Sequence, residues 1–321
     1  MATVLVLVTT AEGAATAASA QALTLGRELA AGGPVHALVF GDDAAAASLG
    51  AWGATHVHVA SHPGLGSGAP DAQARVVCDL AASLGAAFVL GPGTEDGNTV
   101  LARAAARAGL PFAANCIRVT AGSPVSVTRV RWGGSLLEEA AIHADRAMLT
   151  VAPHAVAASS TGGAATVEAF TPQLDDADLA VRVVGRVPAP TGGVSLADAT
   201  VVVSGGRGAG SAEGFAPVVE LAELLGAAVG CSRAVTIAGW RPHTEQVGQT
   251  GTKIAPDMYI ACGISGATQH MAGARGAKCV LAINKDPEAP IMTSADYAVI
   301  GDLHAVLPAI SAEIRRVREA G

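Results

Sequence analysis

The chain opens by alternating short, wholly apolar runs with alanine-rich stretches that stop at glycine. Val4 to Val8 contains no polar residue. A strand with no polar face belongs in a parallel sheet covered on both sides. Residues 16–31 read as a helix stopped at Gly32 and Gly33, Val35 to Phe40 as a second strand, 43–50 as helical, and Thr55 to Val59 as a third strand. Asp71 to Leu84 reads as a helix with Asp71 as its N-cap and Gly85 as its stop. Phe88 to Leu90 is a fourth strand, and Asn98 to Ala108 a helix ended by Gly109 and Pro111. This rhythm predicts a parallel sheet joined by right-handed crossovers.

Near residue 112 the rhythm changes. Ser126 to Trp132, Met148 to Val151, Thr166 to Phe170 and Val181 to Arg186 read as strands without long helices between them. They are expected to finish the same domain, some of them antiparallel. The run Val187-Pro-Ala-Pro-Thr-Gly-Gly marks a linker over about 187–197. A second series follows: a strand at Thr200 to Val203, a helix at Glu213 to Leu225 stopped by Gly226, strands at Met258 to Cys262, Cys279 to Ile283 and Tyr297 to Ile300, and a helix at Leu303 to Arg318. A length of 321 residues suits two domains. The expected architecture is α/β throughout: an N-terminal parallel-sheet domain over 1–187 and a C-terminal doubly wound, Rossmann-like domain over 188–321.

Composition narrows the function classes. Half the residues are apolar, enough for a sizeable core in each domain, and the net charge is -7. That charge argues against nucleic acid as the main partner. The basic cluster Arg315, Arg316 and Arg318 suits the last turn of a helix. No stretch approaches the roughly 18 to 20 uninterrupted apolar residues of a membrane span, and Met1 to Thr10 lacks the basic start and cleavage site of a signal peptide. The five cysteines are scattered, odd in number and form no CxxC pair, which speaks against a disulfide framework or a zinc site. A reducing setting follows, the cytoplasm of a bacterial cell.

The polar, glycine-rich segments of the second half fall where strands end, which is where open α/β sheets bind ligands. Ser204-Gly-Gly-Arg-Gly-Ala-Gly lets backbone N–H groups approach an anion, and Arg207 adds a cation with a hydrogen-bonding fork. It is neither a full GxGxxG nor a P-loop, and alone it is an ordinary glycine-rich turn. Cys231-Ser-Arg offers the Ser232 hydroxyl and the Arg233 cation; Cys231 itself reads as a packing residue, because no histidine or lysine neighbours it. In Gln246-Val-Gly-Gln-Thr-Gly-Thr-Lys, Val247 and Gly248 precede Gln249 and Thr250, a loop able to lie on a flat ligand. In Gly263-Ile-Ser-Gly-Ala-Thr-Gln-His, Ser265 is expected to cap a helix whose first turn holds Gln269 and His270. Ala282-Ile-Asn-Lys-Asp-Pro-Glu-Ala-Pro follows a strand, and Asp302 precedes the last helix, as its N-cap or as a partner for a ribose.

Taken in series, VVSGGRG, CSRAV, QVGQTG, ISGATQH, AINKDPEAPI and ADYAVIGDL resemble the alpha subunit of electron-transfer flavoproteins from about Val201 to Val306. The N-terminal half resembles that family in its layout and in Gly93-Thr-Glu-Asp-Gly-Asn-Thr. The resemblance implies an FAD extended across the C-terminal domain, lined by Arg207, Ser232, Arg233, Val247, Gly248, Gln249, Thr250, Ser265, Gly266, Ala267, Thr268, Gln269, His270, Asn284, Asp302 and Leu303. By motif position it gives Thr250 the reactive central-ring nitrogen, His270 the pyrimidine end, and Arg233 the ring system. Ser265 and Asn284 would serve the pyrophosphate and its linker, and Asp302 the adenosine end. Arg233 and His270, as cation or donor, would stabilise the negative charge of a one-electron-reduced flavin. Cys231 and the displaced Lys253 depart from the family pattern without touching these positions.

The same resemblance implies a beta subunit as partner, holding a structural AMP, with the N-terminal domain forming much of the interface and binding no nucleotide. It implies an electron carrier, not an enzyme with turnover of its own. Electrons would come from acyl-CoA dehydrogenases and similar flavoenzymes, as in fatty acid β-oxidation, and leave to a membrane quinone oxidoreductase. An electron-bifurcating member using NADH and a second FAD in the partner is the alternative within the family. An NAD(P)-dependent dehydrogenase, or a non-catalytic nucleotide-binding module, is the alternative outside it. The first of these lacks its GxGxxG; the second gives no reason for Arg233, Thr250 and His270 together.

Overall fold

The computed structural model describes residues 1–41, 43–65, 68–134, 136–183 and 194–320. They divide into two compact units, one taking residues 1–132 and 136–183, the other 133–134 and 194–320.

The first unit holds a nine-stranded sheet. In chain order its strands are β1 (Val4–Leu7), β2 (Val35–Phe40), β3 (His56–Ala60), β4 (Phe88–Pro92), β5 (Phe112–Thr120), β6 (Val125–Arg131), β7 (Leu136–Ile142), β8 (Ala147–Val151) and β9 (Thr166–Phe170). Their spatial order is β9-β3-β2-β1-β4-β8-β5-β6-β7. Pairing is parallel from β9 through β5 and antiparallel in β5–β6 and β6–β7. The apolar first run explains its central place: Val4 and Val6 enter one core, Leu5 and Leu7 the other, so the strand is covered on both faces.

Local chemistry sets the helix ends, and here the structure corrects several expectations. The helix Ala17–Ala30 is capped by Thr16 and closes at Ala31 in the left-handed region, ahead of the glycines. Asp71 is not an N-cap; it sits in the first turn of Pro70–Ser83, behind Ala69 and Pro70. The helix expected from Asn98 starts a turn earlier, at Glu95, because Thr94 accepts the Gly97 N–H at 3.2 Å. Asn98 is thereby freed for a part-buried network: Thr150 Oγ1 donates to its Oδ1 at 2.6 Å and in turn accepts from the Asn115 backbone N–H at 2.8 Å.

Strands β5 and β7 are not predicted by the sequence pattern. Leu136–Ile142 reads LLEEAAI, a run of good helix formers. Its partner overrides that preference. Glu138 lies opposite Arg129 in the ladder and accepts from its Nη2 at 2.9 Å, while Arg131 Nε pairs with the same carboxylate at 3.0 Å. Of the strand expected at Val181–Arg186, residues 181–183 are not in a strand and 184–186 lie outside the described residues. The linker and the boundary at 187/188 lie there too, except 194–197, where Leu196 is buried in the second unit's core.

One polar cluster in the first unit ties stability to pH. His36 Nδ1 lies 2.9 Å from His58 Nε2, both buried, and His56 stacks on His36 at 4.7 Å. Burial, then the neighbouring imidazoles, lowers His36 from 6.5 to about 4, and burial lowers His58, against the pull of Glu168. The fold therefore holds neutral rings that the unfolded chain would protonate below about 6.5. Their contribution is complete above that pH and is lost as pH falls toward 4. We expect the melting temperature to fall between pH 7 and pH 4.5, and less steeply in His36→Gln; equal slopes in the two proteins would show that this pair is not responsible.

The second unit holds five parallel strands: β10 (Val201–Gly205), β11 (Ala228–Cys231), β12 (Met258–Cys262), β13 (Val280–Asn284) and β14 (Tyr297–Ile300). The order is β11-β10-β12-β13-β14, so the direction of winding switches between β10 and β12. β11, at four residues, is the strand that the sequence pattern does not predict. Alternate residues of β12 enter the two cores, Tyr259 and Ala261 on one side, Ile260 and Cys262 on the other. Helices Ala216–Leu225 and Leu303–Ala320 cover the second side, and Thr268–Ala274 covers the first.

Candidate functional site

A cavity of about 540 Å³ opens at the carboxyl ends of β10, β11, β12 and β13. It includes the switch between β10 and β12, where doubly wound sheets bind their ligands. Arg207, Ser232, Arg233, Val247, Gly248, Gln249, Thr250, Ser265, Ala267, Gln269, His270 and Asn284 line it together. The structure does not bring the remaining expected residues there. Gly266 and Thr268 line a neighbouring depression. Asp302 caps its own helix, accepting the His304 N–H at 2.9 Å, and pairs with Lys285 Nζ at 2.8 Å. Leu303 is buried in the core beneath. Gly208, Ala234, Gln246, Gly263, Ile264, Asp286, Ala289 and Pro290 also line the cavity.

The glycines of the first loop serve packing between loops. A Cβ on Gly206 would stand 2.2 Å from the Gly263 carbonyl oxygen, and one on Gly208 would stand 2.6 Å from the Gly263 Cα. The loops after β10 and β12 therefore meet backbone to backbone, and Arg207 stands between those two glycines. Ser265 does not cap the following helix, whose N-cap is Ala267; its carbonyl instead accepts the Ile291 N–H at 3.0 Å. Asn284 is also committed locally. Its Nδ2 donates to the Ile264 carbonyl at 2.9 Å, and its Oδ1 accepts the Asp286 N–H at 3.1 Å.

Charge is distributed unevenly. In the second unit, Arg241, Arg275, Arg315, Arg316 and Arg318 each donate to a carboxylate or a backbone carbonyl. The guanidinium groups of Arg207 and Arg233, both exposed, have no such partner among the described residues. Two cations with open forks at one cavity suit an anionic ligand. Cys231 is fully buried and its thiol is pushed up to about 12 by burial, so it packs and does not react.

The loop 246–252 is laid along the sheet edge: the Val247 N–H donates to the Cys231 carbonyl at 2.9 Å, and Thr252 closes back onto Gln246 at 2.7 Å. Gln246, buried, then works as a relay. Its Oε1 accepts from Thr236 Oγ1 at 2.6 Å, and its Nε2 donates to Thr250 Oγ1 at 3.0 Å. With that oxygen accepting, the Thr250 hydrogen is free to be donated outward. The sequence alone gives Gln246 no role. We expect Gln246→Leu to leave the fold intact and to weaken whatever hydrogen bond Thr250 offers a ligand, by about tenfold in affinity for one net hydrogen bond of roughly 1.5 kcal/mol; unchanged ligand titration would separate Gln246 from Thr250.

His270 is 7% exposed, and its Nε2 lies 2.7 Å from the Tyr259 Oη. Its Nδ1 has no hydrogen-bond partner among the described residues. Burial lowers its pKa to about 4, with the Val247 backbone acting the other way. The ring is therefore neutral at pH 7. Its burial disfavours the charged form.

Fold and site together define a two-unit α/β protein with a cofactor-type cleft on its second sheet. Residues 4–176 match the family model described as electron transfer flavoprotein domain, and residues 195–275 match the electron transfer flavoprotein FAD-binding domain. The chain is 40% identical to the electron transfer flavoprotein subunit alpha of Mycobacterium leprae (strain TN), covering 98% of this chain and 99% of that protein. It is 42% identical to the protein of the same name from Mycobacterium tuberculosis (strain ATCC 25618 / H37Rv), with the same coverage. Protein FixB of Clostridium saccharobutylicum is 36% identical over 84% of this chain and 82% of its own. The chain belongs to the electron transfer flavoprotein alpha-subunit family. Among the described residues, no helix is long and apolar enough to cross a membrane.

Proposed function

We propose that the chain binds one FAD in the cavity at the ends of β10 to β13 and acts as an electron carrier in a heterodimer with a beta subunit. The observation that carries this reading is the meeting, at one cleft, of two unpaired arginines and a buried His270 nitrogen without a partner. Such a set fits FAD: the cations suit its pyrophosphate and its electron-rich ring, and a buried orphan donor is costly unless a ligand accepts from it. Bound flavin supplies the redox chemistry, taking up electrons in pairs or singly. The chain's own residues bind and tune. Arg207 and Arg233 hold negative charge, Thr250 offers its Gln246-oriented hydroxyl, and His270 offers a neutral N–H. No nucleophile or general base enters this reading.

Donors of the flavin-dehydrogenase class, acyl-CoA dehydrogenases among them, and a membrane quinone oxidoreductase as acceptor complete the proposal. AMP is expected in the beta subunit. Visible spectra of the chain purified with its partner test the flavin: a bound, FAD-type spectrum supports it, and a colourless complex that takes up no added FAD sinks it.

A further inference from the structure

Tyr259 plays no part in the sequence-derived site, yet it touches that site's most buried polar member. It stands on β12, wholly buried, with its ring 6.2 Å from that of His270 and inclined by 29°. Its Oη and the His270 Nε2 are 2.7 Å apart. His270 lines the cavity, is itself more than nine-tenths buried, and leaves Nδ1 without a hydrogen-bond partner among the described residues.

The proton bookkeeping at this contact has few solutions. Burial pushes the Tyr259 phenol up and lowers His270 to about 4, so at neutral pH the phenol keeps its hydrogen and the ring is neutral. A neutral imidazole has one N–H and one lone pair. Either the phenol donates to Nε2, or Nε2–H donates to the phenol. In the second case the phenol hydrogen needs another acceptor. The neighbouring candidate, Ser204 Oγ, is buried and has no hydrogen-bond partner among the described residues. With no second hydrogen bond at the phenol and a 2.7 Å contact to Nε2, the geometry selects donation by the phenol.

We propose that Tyr259 is a positioning residue for His270: its phenol donates to Nε2, fixes the neutral Nδ1–H tautomer, and reserves that N–H for the cofactor. Which ring nitrogen of a histidine carries the proton is set by the bond the other one makes. With the opposite tautomer, His270 would present a bare lone pair to the electron-rich end of a flavin. The inference rests on the flavin reading only for the identity of the group that receives the N–H.

The test uses the full chain, purified with its partner and labelled with 15N-histidine, with FAD present and after its removal. Two-bond 1H–15N spectra between pH 6 and 8 report the tautomer of each ring, and His270→Gln identifies the His270 signals among nine histidines. Wild type is expected to show the Nδ1–H pattern for His270, without titration in that range. Tyr259→Phe removes one oxygen and should replace that pattern with Nε2–H or a mixture. In stepwise reduction, Tyr259→Phe should lower the first-electron potential in the same direction as His270→Gln, and the double variant no further than His270→Gln alone. An Nε2–H pattern in wild type, or an unchanged tautomer in Tyr259→Phe, overturns the proposal whatever the flavin does. If the phenylalanine variant fails to fold, the wild-type spectrum decides. Absence of FAD binding by wild type would overturn the flavin reading instead, and the tautomer would still be read from the protein alone.

Discussion

Alanine at both Arg207 and Arg233 is expected to weaken FAD binding by about 100-fold. A hydrogen bond to a charged group contributes roughly 1.5–3 kcal/mol. Both side chains are exposed, so the lower end applies, and two such losses amount to about 3 kcal/mol, or two decades in Kd. The expectation depends on both guanidinium groups being unpaired, since an arginine already tied to a carboxylate would have less to offer. Arg207→Lys should restore charge without the planar fork and recover part of the affinity. Quenching of flavin fluorescence on titration into the cofactor-free protein measures this, at two salt concentrations. The wild-type advantage should shrink as salt screens the charges. A double variant within threefold of wild type would place the phosphates and the ring away from these two arginines.

His270→Ala should lower the potential for adding the first electron by about 60 mV, the equivalent of a tenfold change for a one-electron couple. The added electron puts negative charge on the ring, and a donor aimed at that charge stabilises the reduced form more than the oxidised one. The effect is that of a neutral donor, because burial holds His270 at about 4 in the fold. Its size therefore reflects one hydrogen bond. Spectroscopic titration against dyes of known potential measures it, and an unchanged first step would remove His270 from the tuning role.

Much of the fold was legible because it rests on local signals. The wholly apolar Val4–Val8 run, the glycine stops and the change of rhythm near residue 112 each have one economical structural answer. What was missed lies in tertiary pairing. Leu136–Ile142 looks helical until Arg129 and Arg131 face Glu138 across the ladder. Thr94 claims the start of a helix that the sequence alone placed at Asn98. The site shows the same division. Loop positions rich in glycine, arginine and amide side chains pointed to one cleft, and most of them share one cavity. Asp302 and Leu303 do not line it, since a helix N-cap and a buried leucine already have local uses. Tyr259 could not have been found by motif, because it lies within an apolar strand and acts through a residue eleven positions on. Gln246 was in view, but only its placement between Thr236 and Thr250 gives it a role.

The most direct test of the proposed flavin carrier is a dithionite titration of this chain purified with its beta subunit, followed by visible spectra and an FAD assay. One FAD per heterodimer, reduced in two resolved one-electron steps, is the predicted result. Two FADs per heterodimer would shift the reading to an electron-bifurcating member, and a complex with no flavin, unable to take any up, would contradict the account.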